Sequence, residues 1–478
     1  MLQCKSRIYL IFLLLFVVPH TCVDAVTVDT VALETIQDPP AVTQVKDTSA
    51  VAAEVDLLLE ESADPADSGA GSLKSSMTDR ARSLLGIFVF LGLCFLLSTR
   101  KSDVNWRTII WGVALQFTLG ILILKTAGGA RFTAGAKDVF WGILKYSEMG
   151  TGMVFGTLPS VDGVGFQLWI VLLGTIIFVS AVMAVLYHIG VLQFVVWCIA
   201  RVMQKTMGTS GPESLAAAAN IFAGQTEAPL VIRPYLKTMT DSEVMALMTG
   251  GMATVAGSVF ASYVVMGVDP GHLLAASFMS APAALMAAKL LIPEDPKQKD
   301  DAAAKFEVNS PDTNVLDAAC RGSSEGLMLA LNVIAMLIAF VAMVALINGA
   351  MDWAFNGAFN LTIFFSYFFY PFAWLLGVDQ ADVSVVASLI GMKTVLNEFV
   401  AFLSLTGDMG DSLSERSKIL TTYALCGFAN FASVAIQIGG ISSLEPKLRP
   451  RLAALGLKAL LGGTIAALVT GCVVGVIL

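Results

Sequence analysis

The chain has 478 residues, 56% of them hydrophobic and 14% charged, with a mean hydropathy of +0.76. Soluble domains carry about 25% charged residues, so a water-soluble globular protein is excluded and a polytopic helical membrane protein is indicated. The formal charge of −8 is unevenly spread: residues 26–83 hold eleven acidic and four basic side chains, and the long remainder is close to neutral.

Residues 1–25 read as a secretory signal. Lys5 and Arg7 form a charged start, "IYLIFLLLFVV" an apolar core, and "VDA" a small-residue cleavage site after Ala25. An uncleaved membrane anchor is the alternative. Residues 26–83 are rich in Ala, Asp, Glu, Ser, Thr and Val with few aromatics, a composition that cannot bury enough apolar surface to offset its ordering entropy. They are expected to form an acidic, mostly disordered extracytoplasmic tail. The membrane domain is then 84–478.

Within it, the apolar runs 84–98, 108–125, 166–188, 244–267, 271–292, 325–348, 416–440 and 452–478 predict eight spans. The aromatic segment "LTIFFSYFFYPFAWLLG" (361–377) is expected to lie along the membrane surface. Arg100, Lys101, Arg107, Arg201, Lys205, Arg233, Lys237, Lys447, Arg449 and Arg451 then fall on the cytoplasmic side, as the positive-inside rule requires, with both termini outside. The loop 126–165, with Arg131, Lys137 and Lys145, dissents.

Two further apolar stretches are interrupted. Glu227 lies in "GQTEAPL" and Glu398 in "VLNEFVAF", and a charge at the centre of a spanning helix costs roughly 2.5–3.5 kcal/mol. The breakers and polar neighbours around them predict re-entrant hairpins at about 210–232 and about 384–405, because non-helical backbone at depth is tolerated only when buried in protein or lining a wet cavity. A repeat supports this. "GMATVAGSV" (251–259) follows the first hairpin and "GFANFASVA" (427–435) the second, with Thr254 and Asn430 in matching places. Hairpin–helix pairs in corresponding positions are the signature of a secondary transporter built from inverted repeats.

The sequence has no phosphate-binding loop of the G-x-x-x-x-G-K-[ST] type. Its three histidines, His20, His188 and His272, are scattered, and no two of its seven cysteines have zinc-ligand spacing. The residues therefore point to a secondary transporter of a polar solute, with a channel as the alternative, and no enzyme activity, cofactor or nucleic-acid partner is expected.

"NIFAGQTEAPLVIRPYL", "MATVAGSVFASYV", "GMKTVLNEFVAFLSL" and "ALCGFANFASVAIQIGG" together resemble the concentrative nucleoside transporter family, in its shorter eight-span form, over roughly 84–478. The resemblance implies an all-α elevator-type homotrimer in the bacterial inner or plasma membrane, embedded in lipid. A transport domain carrying the hairpins would move against a trimerisation scaffold. It assigns Gln225, Thr226, Glu227 and Val259 to the nucleobase, and Glu398, Asn430, Ser433 and Phe428 to the ribose. It assigns a sodium ion to Asn220 and Thr254, with backbone oxygens from Ala223, Thr254 and Val255. The implied activity is nucleoside uptake driven by sodium, with sodium as coupling ion. Proton coupling, or a sensor built on a transporter fold, are the alternatives.

Overall fold

The computed structural model describes residues 76–156, 168–295, 312–355 and 360–478; the signal segment and the tail up to residue 75 lie outside the described residues. The regular elements among the described residues are all helices, without strands. Helix α1 (Met77–Leu96) opens the membrane domain, capped by the Ser76 hydroxyl. It starts seven residues before the expected span, so residues 77–83, assigned to the tail from composition, belong to a helix. Helix α2 (Trp106–Lys125) follows the short basic loop.

Helix α3 (Ala127–Phe155) corrects the sequence reading, which takes 126–165 as a loop. Its six glycines and three basic residues dilute the apolar periodicity. Even so, Thr126 caps its start, and its buried residues Leu144, Ser147 and Thr151 repeat at helical spacing while Arg131, Lys137 and Lys145 face outward. Helix α4 (Leu168–His188) is the third expected span. The amphipathic α5 (Val191–Met207), flanked by the left-handed Gly190 and Gly208, is a helix that the sequence reading leaves unassigned.

The first repeat begins at α6 (Gly211–Ala219). Ser210 and Glu213 form a capping box at its start, with reciprocal bonds that satisfy two otherwise orphaned backbone donors. The chain turns over 220–227 into the short α7 (Ala228–Val231). The expected span 244–267 is broken: α8 (Asp241–Ala253) ends, residues 254–256 are extended, and α9 (Gly257–Val265) resumes. Helix α10 (Pro270–Leu291) completes the repeat. A buried ionic clasp closes the base of the first hairpin. Lys289 on α10 pairs with Glu213 on α6 at 2.5 Å and with Glu294 at 2.7 Å, and donates to Ser242 on α8 at 3.0 Å. A buried charge is tolerated only when paired in this way.

Helix α11 (Val315–Phe355) runs for 41 residues. Helices α12 (Leu361–Phe368) and α13 (Tyr370–Leu376) share the aromatic segment. At 1.5 Å per residue neither can cross a hydrocarbon core of about 30 Å. The second repeat repeats the plan. Helices α14 (Val383–Val395) and α15 (Glu398–Leu405) form a hairpin with a tight turn at Leu396 and Asn397. After α16 (Asp408–Asp411), the expected continuous span 416–440 is instead α17 (Glu415–Leu425) and α18 (Phe431–Leu444), separated by 426–430. Helix α19 (Arg449–Ile477) ends the chain.

Six helical segments among the described residues are long and apolar enough to cross a membrane: Trp106–Lys125, Trp169–His188, Asp241–Val265, Pro270–Leu291, Val315–Ala354 and Pro446–Ile477. They coincide with six of the eight expected spans. The other two take different forms, α1 with Asp79, Arg80 and Arg82 in its first turns and the broken α17–α18. Segment Asp241–Val265 is almost wholly buried and packs with α10 and α19 at the centre, whereas Val315–Ala354 is largely exposed and packs along α4 at the periphery. The repeats therefore form the core, and α11 presents most of its apolar surface outward.

Candidate functional site

Glu398 starts α15, immediately after Asn397, whose side chain caps that helix by accepting from Val400 N at 2.9 Å. The carboxylate is 5% exposed. Its Oε2 accepts from Asn430 Nδ2 at 2.9 Å and its Oε1 from the Tyr263 hydroxyl at 3.1 Å. Asn430 is itself a helix cap, since its Oδ1 accepts from Ser433 N at 2.8 Å at the start of α18. Capping thus spends the carbonyl end of Asn430 and aims its NH2 at Glu398. Tyr263, on α9, is fully buried with its ring 4.5 Å from Phe402 and 5.9 Å from Phe399. One carboxylate therefore joins hairpin 2, the second break and the helix after the first break.

From Asn430 the polar chain continues across the repeats. Gln225, at the tip of hairpin 1, donates through Nε2 to Ser433 Oγ at 3.2 Å. Its Oε1 accepts from Gln437 Nε2 at 3.1 Å, and Gln437 Nε2 also donates to the Met248 carbonyl at 3.1 Å. A carboxylate is acceptor-only and has about four lone-pair sites, whereas an amide both donates and accepts. Glu398 thus keeps capacity for hydroxyl donors, and the amides of Gln225 and Gln437 can exchange partners without leaving one unpaired.

The remaining predicted residues divide. Val259 is buried on α9, one turn before Tyr263. Phe428 is half-buried within the second break, and its backbone N–H donates to the Thr254 carbonyl at 3.3 Å. Thr226 and Glu227 are exposed at the tip. Thr226 packs on Gly440 of α18, where an added Cβ would lie 2.8 Å from Thr226 Cγ2, and Glu227 folds back to accept from Gly224 N at 3.1 Å. Neither hydrogen-bonds to the polar chain among the described residues. The arrangement joins Gln225, which the resemblance assigns to the nucleobase, directly to Ser433, which it assigns to the ribose.

Beside this chain lies Asn220, the residue that ends α6. Both Oδ1 and Nδ2 of its side chain are buried without a hydrogen-bond partner among the described residues. It faces the end of α8, since a Cβ on Gly250 would sit 2.9 Å from Asn220 Nδ2. Thr254 Oγ1 donates to the Gly250 carbonyl at 2.9 Å, and Gly257 N donates to the Phe222 carbonyl at 2.9 Å, so the tip and the first break are fastened together. Val255 is buried and Ala223 half-buried in the same region. A buried polar group left unpaired costs about 1–3 kcal/mol, and neutral oxygens are the donors that suit a hard cation.

Sequence reasoning misses three contributors, Tyr263, Gln437 and the buried Lys393, which donates to the Ala424 carbonyl at the end of α17. Gln437 has a signal, an amide in the apolar run "ASVAIQIGG", and Lys393 has one, an ammonium in "LIGMKTVL". Tyr263 has none, since a tyrosine in an apolar helix is ordinary.

Three family descriptions match the chain in succession: Na+ dependent nucleoside transporter N-terminus over 85–158, nucleoside recognition (gate) over 169–269, and Na+ dependent nucleoside transporter C-terminus over 272–475. An uncharacterized transporter of Haemophilus influenzae is 43% identical over 404 residues, 82% of this chain and 96% of its own length. The chain belongs to the sodium-dependent nucleoside transporter family. Sodium/nucleoside cotransporter 1 of Rattus norvegicus, a further member, is 42% identical over 414 residues, and the match spans 83% of this chain but 63% of the rat protein. Among solved structures, CNTnw in an inward-facing substrate-bound state superimposes with a TM-score of 0.78 at 41% identity, covering 83% of this chain and 97% of that one. A variant of CNTnw in an outward-facing state gives a TM-score of 0.79 at 41% identity, covering 84% and 98%. The family's all-helical, multi-pass membrane architecture is thus the architecture of this chain, and the family is one of transporters, not enzymes.

Proposed function

We propose that this chain takes up nucleosides across the membrane that holds it, coupling each to inward sodium movement. The observation that carries the reading is the polar chain from Gln225 through Ser433 and Asn430 to Glu398, which crosses both repeats beside the Asn220 amide, unpartnered among the described residues. Glu398, Asn430, Ser433 and Phe428 would hold the ribose. Gln225, Thr226, Glu227 and Val259 would hold the base, with Thr226 and Glu227 turning inward from their exposed positions. Asn220 and Thr254, with backbone oxygens of Ala223, Thr254 and Val255, would take the sodium.

The chemistry follows from the parts. A site that hydrogen-bonds a hydroxyl from buried groups strongly rejects analogues lacking it, because those groups are then left unpaired. The sodium residues sit on the same tip and break that frame the nucleoside residues, so each ligand stabilises the geometry the other needs. Such coupling is reciprocal.

The relatives solved in inward- and outward-facing states support an elevator movement, in which the repeats carry the site past a scaffold containing α4 and α11. The outward apolar surface of α11 fits a homotrimer with lipid around it. With an exported tail and eight spans both termini would lie on the extracytoplasmic side, a reading that most of the Lys and Arg placement supports.

The test is uptake of labelled uridine and adenosine by liposomes containing the purified chain, under an inward gradient of sodium, of choline, or of protons. Sodium-driven accumulation is expected. Accumulation that follows the proton gradient without sodium would replace the coupling ion, and no flux under any gradient would end the transport reading.

A further inference from the structure

The two breaks solve one electrostatic problem with different residues. Where a helix stops inside protein, its last carbonyls lose their partners and the end carries a partial negative charge. Hairpin 1 and α8 contain no Lys or Arg between residues 211 and 232 or between 241 and 256. Hairpin 2 contains one, Lys393, which is 1% exposed. In an unbroken α17 the carbonyl of Ala424 would accept from the N–H of Phe428. That N–H is turned instead to Thr254, and Lys393 Nζ donates to the Ala424 carbonyl at 2.9 Å. An ammonium persists at such depth only when its surroundings compensate it; the end of α17 does so by a direct hydrogen bond and the Glu398 carboxylate by charge. Glu398 lies five residues on along the same hairpin.

We propose that Lys393 is a tethered cation, holding the second break as the co-transported ion holds the first. It is a positioning residue. By fixing the end of α17 it sets where Phe428 and Asn430 emerge, and through Asn430 it sets Glu398. The external ion is then required at one break only. This inference rests on the proposed sodium-coupled uptake, and its test separates the two.

The full chain carrying Lys393→Ala is purified, reconstituted and compared with wild type. Nucleoside uptake should fall about tenfold or more, the scale expected when a charged hydrogen bond is lost. Millimolar ethylammonium, which fits the space vacated, should restore uptake and raise the melting temperature of the variant while leaving wild type unchanged. At high sodium the variant should also show a steeper sodium dependence than wild type, a second ion entering the vacated position.

Lys393→Met and Lys393→Arg guard against a variant that does not fold. Both keep the bulk, but only Arg keeps the charge, so Arg should retain sodium-driven uptake that Met loses. Equal behaviour of Met and Arg overturns the proposal, as does a folded Lys393→Ala protein on which neither amine nor sodium has any effect. If wild type itself shows no sodium-driven uptake, the transport reading fails, and the amine-dependent melting of Lys393→Ala still decides the role of Lys393.

Discussion

The backbone N–H of Phe428 donates to the carbonyl of Thr254 at 3.3 Å, so each broken helix supplies what the other lacks. The carbonyl stranded where α8 stops is answered by an amide freed where α17 stops. The two interruptions are therefore one structure, with Asn220 on one side of it and Asn430 on the other.

Gly427 is where this contact is tightest. Its φ of +128° is one that side chains rarely adopt, and an added Cβ would lie 2.8 Å from the carbonyl atoms of Ala253. Gly427→Ala should cost about 1–3 kcal/mol from backbone strain, with steric overlap added. It should lower the melting temperature of the purified protein and abolish uptake. A variant with wild-type melting would show that the two breaks do not approach this closely.

Removing an oxygen from the proposed cation position should weaken sodium first. Asn220→Ala and Thr254→Ala are each expected to raise the sodium concentration for half-maximal uptake, and by linkage to raise the apparent nucleoside Kd at fixed sodium. Unchanged sodium dependence in both variants would move the ion elsewhere.

The carboxylate of Glu398 should read the sugar. Glu398→Gln keeps the shape and loses the charge, at a cost of about 1.5–3 kcal/mol, or very roughly 10–150-fold in uridine affinity. Ribose-modified nucleosides lacking the contacted hydroxyl should bind wild type poorly and be penalised much less by the mutation. Pairing the protein change with the ligand change measures the coupling directly. Independent effects for every hydroxyl tried would remove Glu398 from the ribose site.

Orientation can be read with cysteines placed at Ser68 and at the C-terminus. Both should react with an impermeant maleimide in intact cells, and protection of either would refute the assignment of both ends to the outside.

Much of this was legible in the sequence because membranes make polar residues conspicuous. Glu227, Glu398, Thr254 and Asn430 stand out against apolar flanks, and the repeated glycine–alanine pattern marks both interruptions. The helices that were missed are those whose apolar face is thin. Residues 127–155 read as a loop because glycine and charge dominate, although Thr126 and the face bearing Leu144 and Thr151 suffice for a helix once neighbours pack on it. What a single chain conceals is pairing at long range. Nothing local says that Tyr263 will reach Glu398 or that Gln437 will bridge Gln225 to Met248, because those bonds exist only after the repeats interleave.

The clasp of Lys289 with Glu213 predicts an order of biosynthesis. The ribosome makes Glu213 before α8, α9 and α10 exist, so the nascent first hairpin carries a carboxylate whose counter-charge has not yet been translated. An unpaired charge resists entry into hydrocarbon, and the hairpin should wait at the translocon until Lys289 emerges. Chains stalled before Pro270 should leave a cysteine at Ala217 open to a water-soluble maleimide, and chains extended past Glu294 should hide it. Equal labelling at both lengths would mean that the hairpin enters unaided.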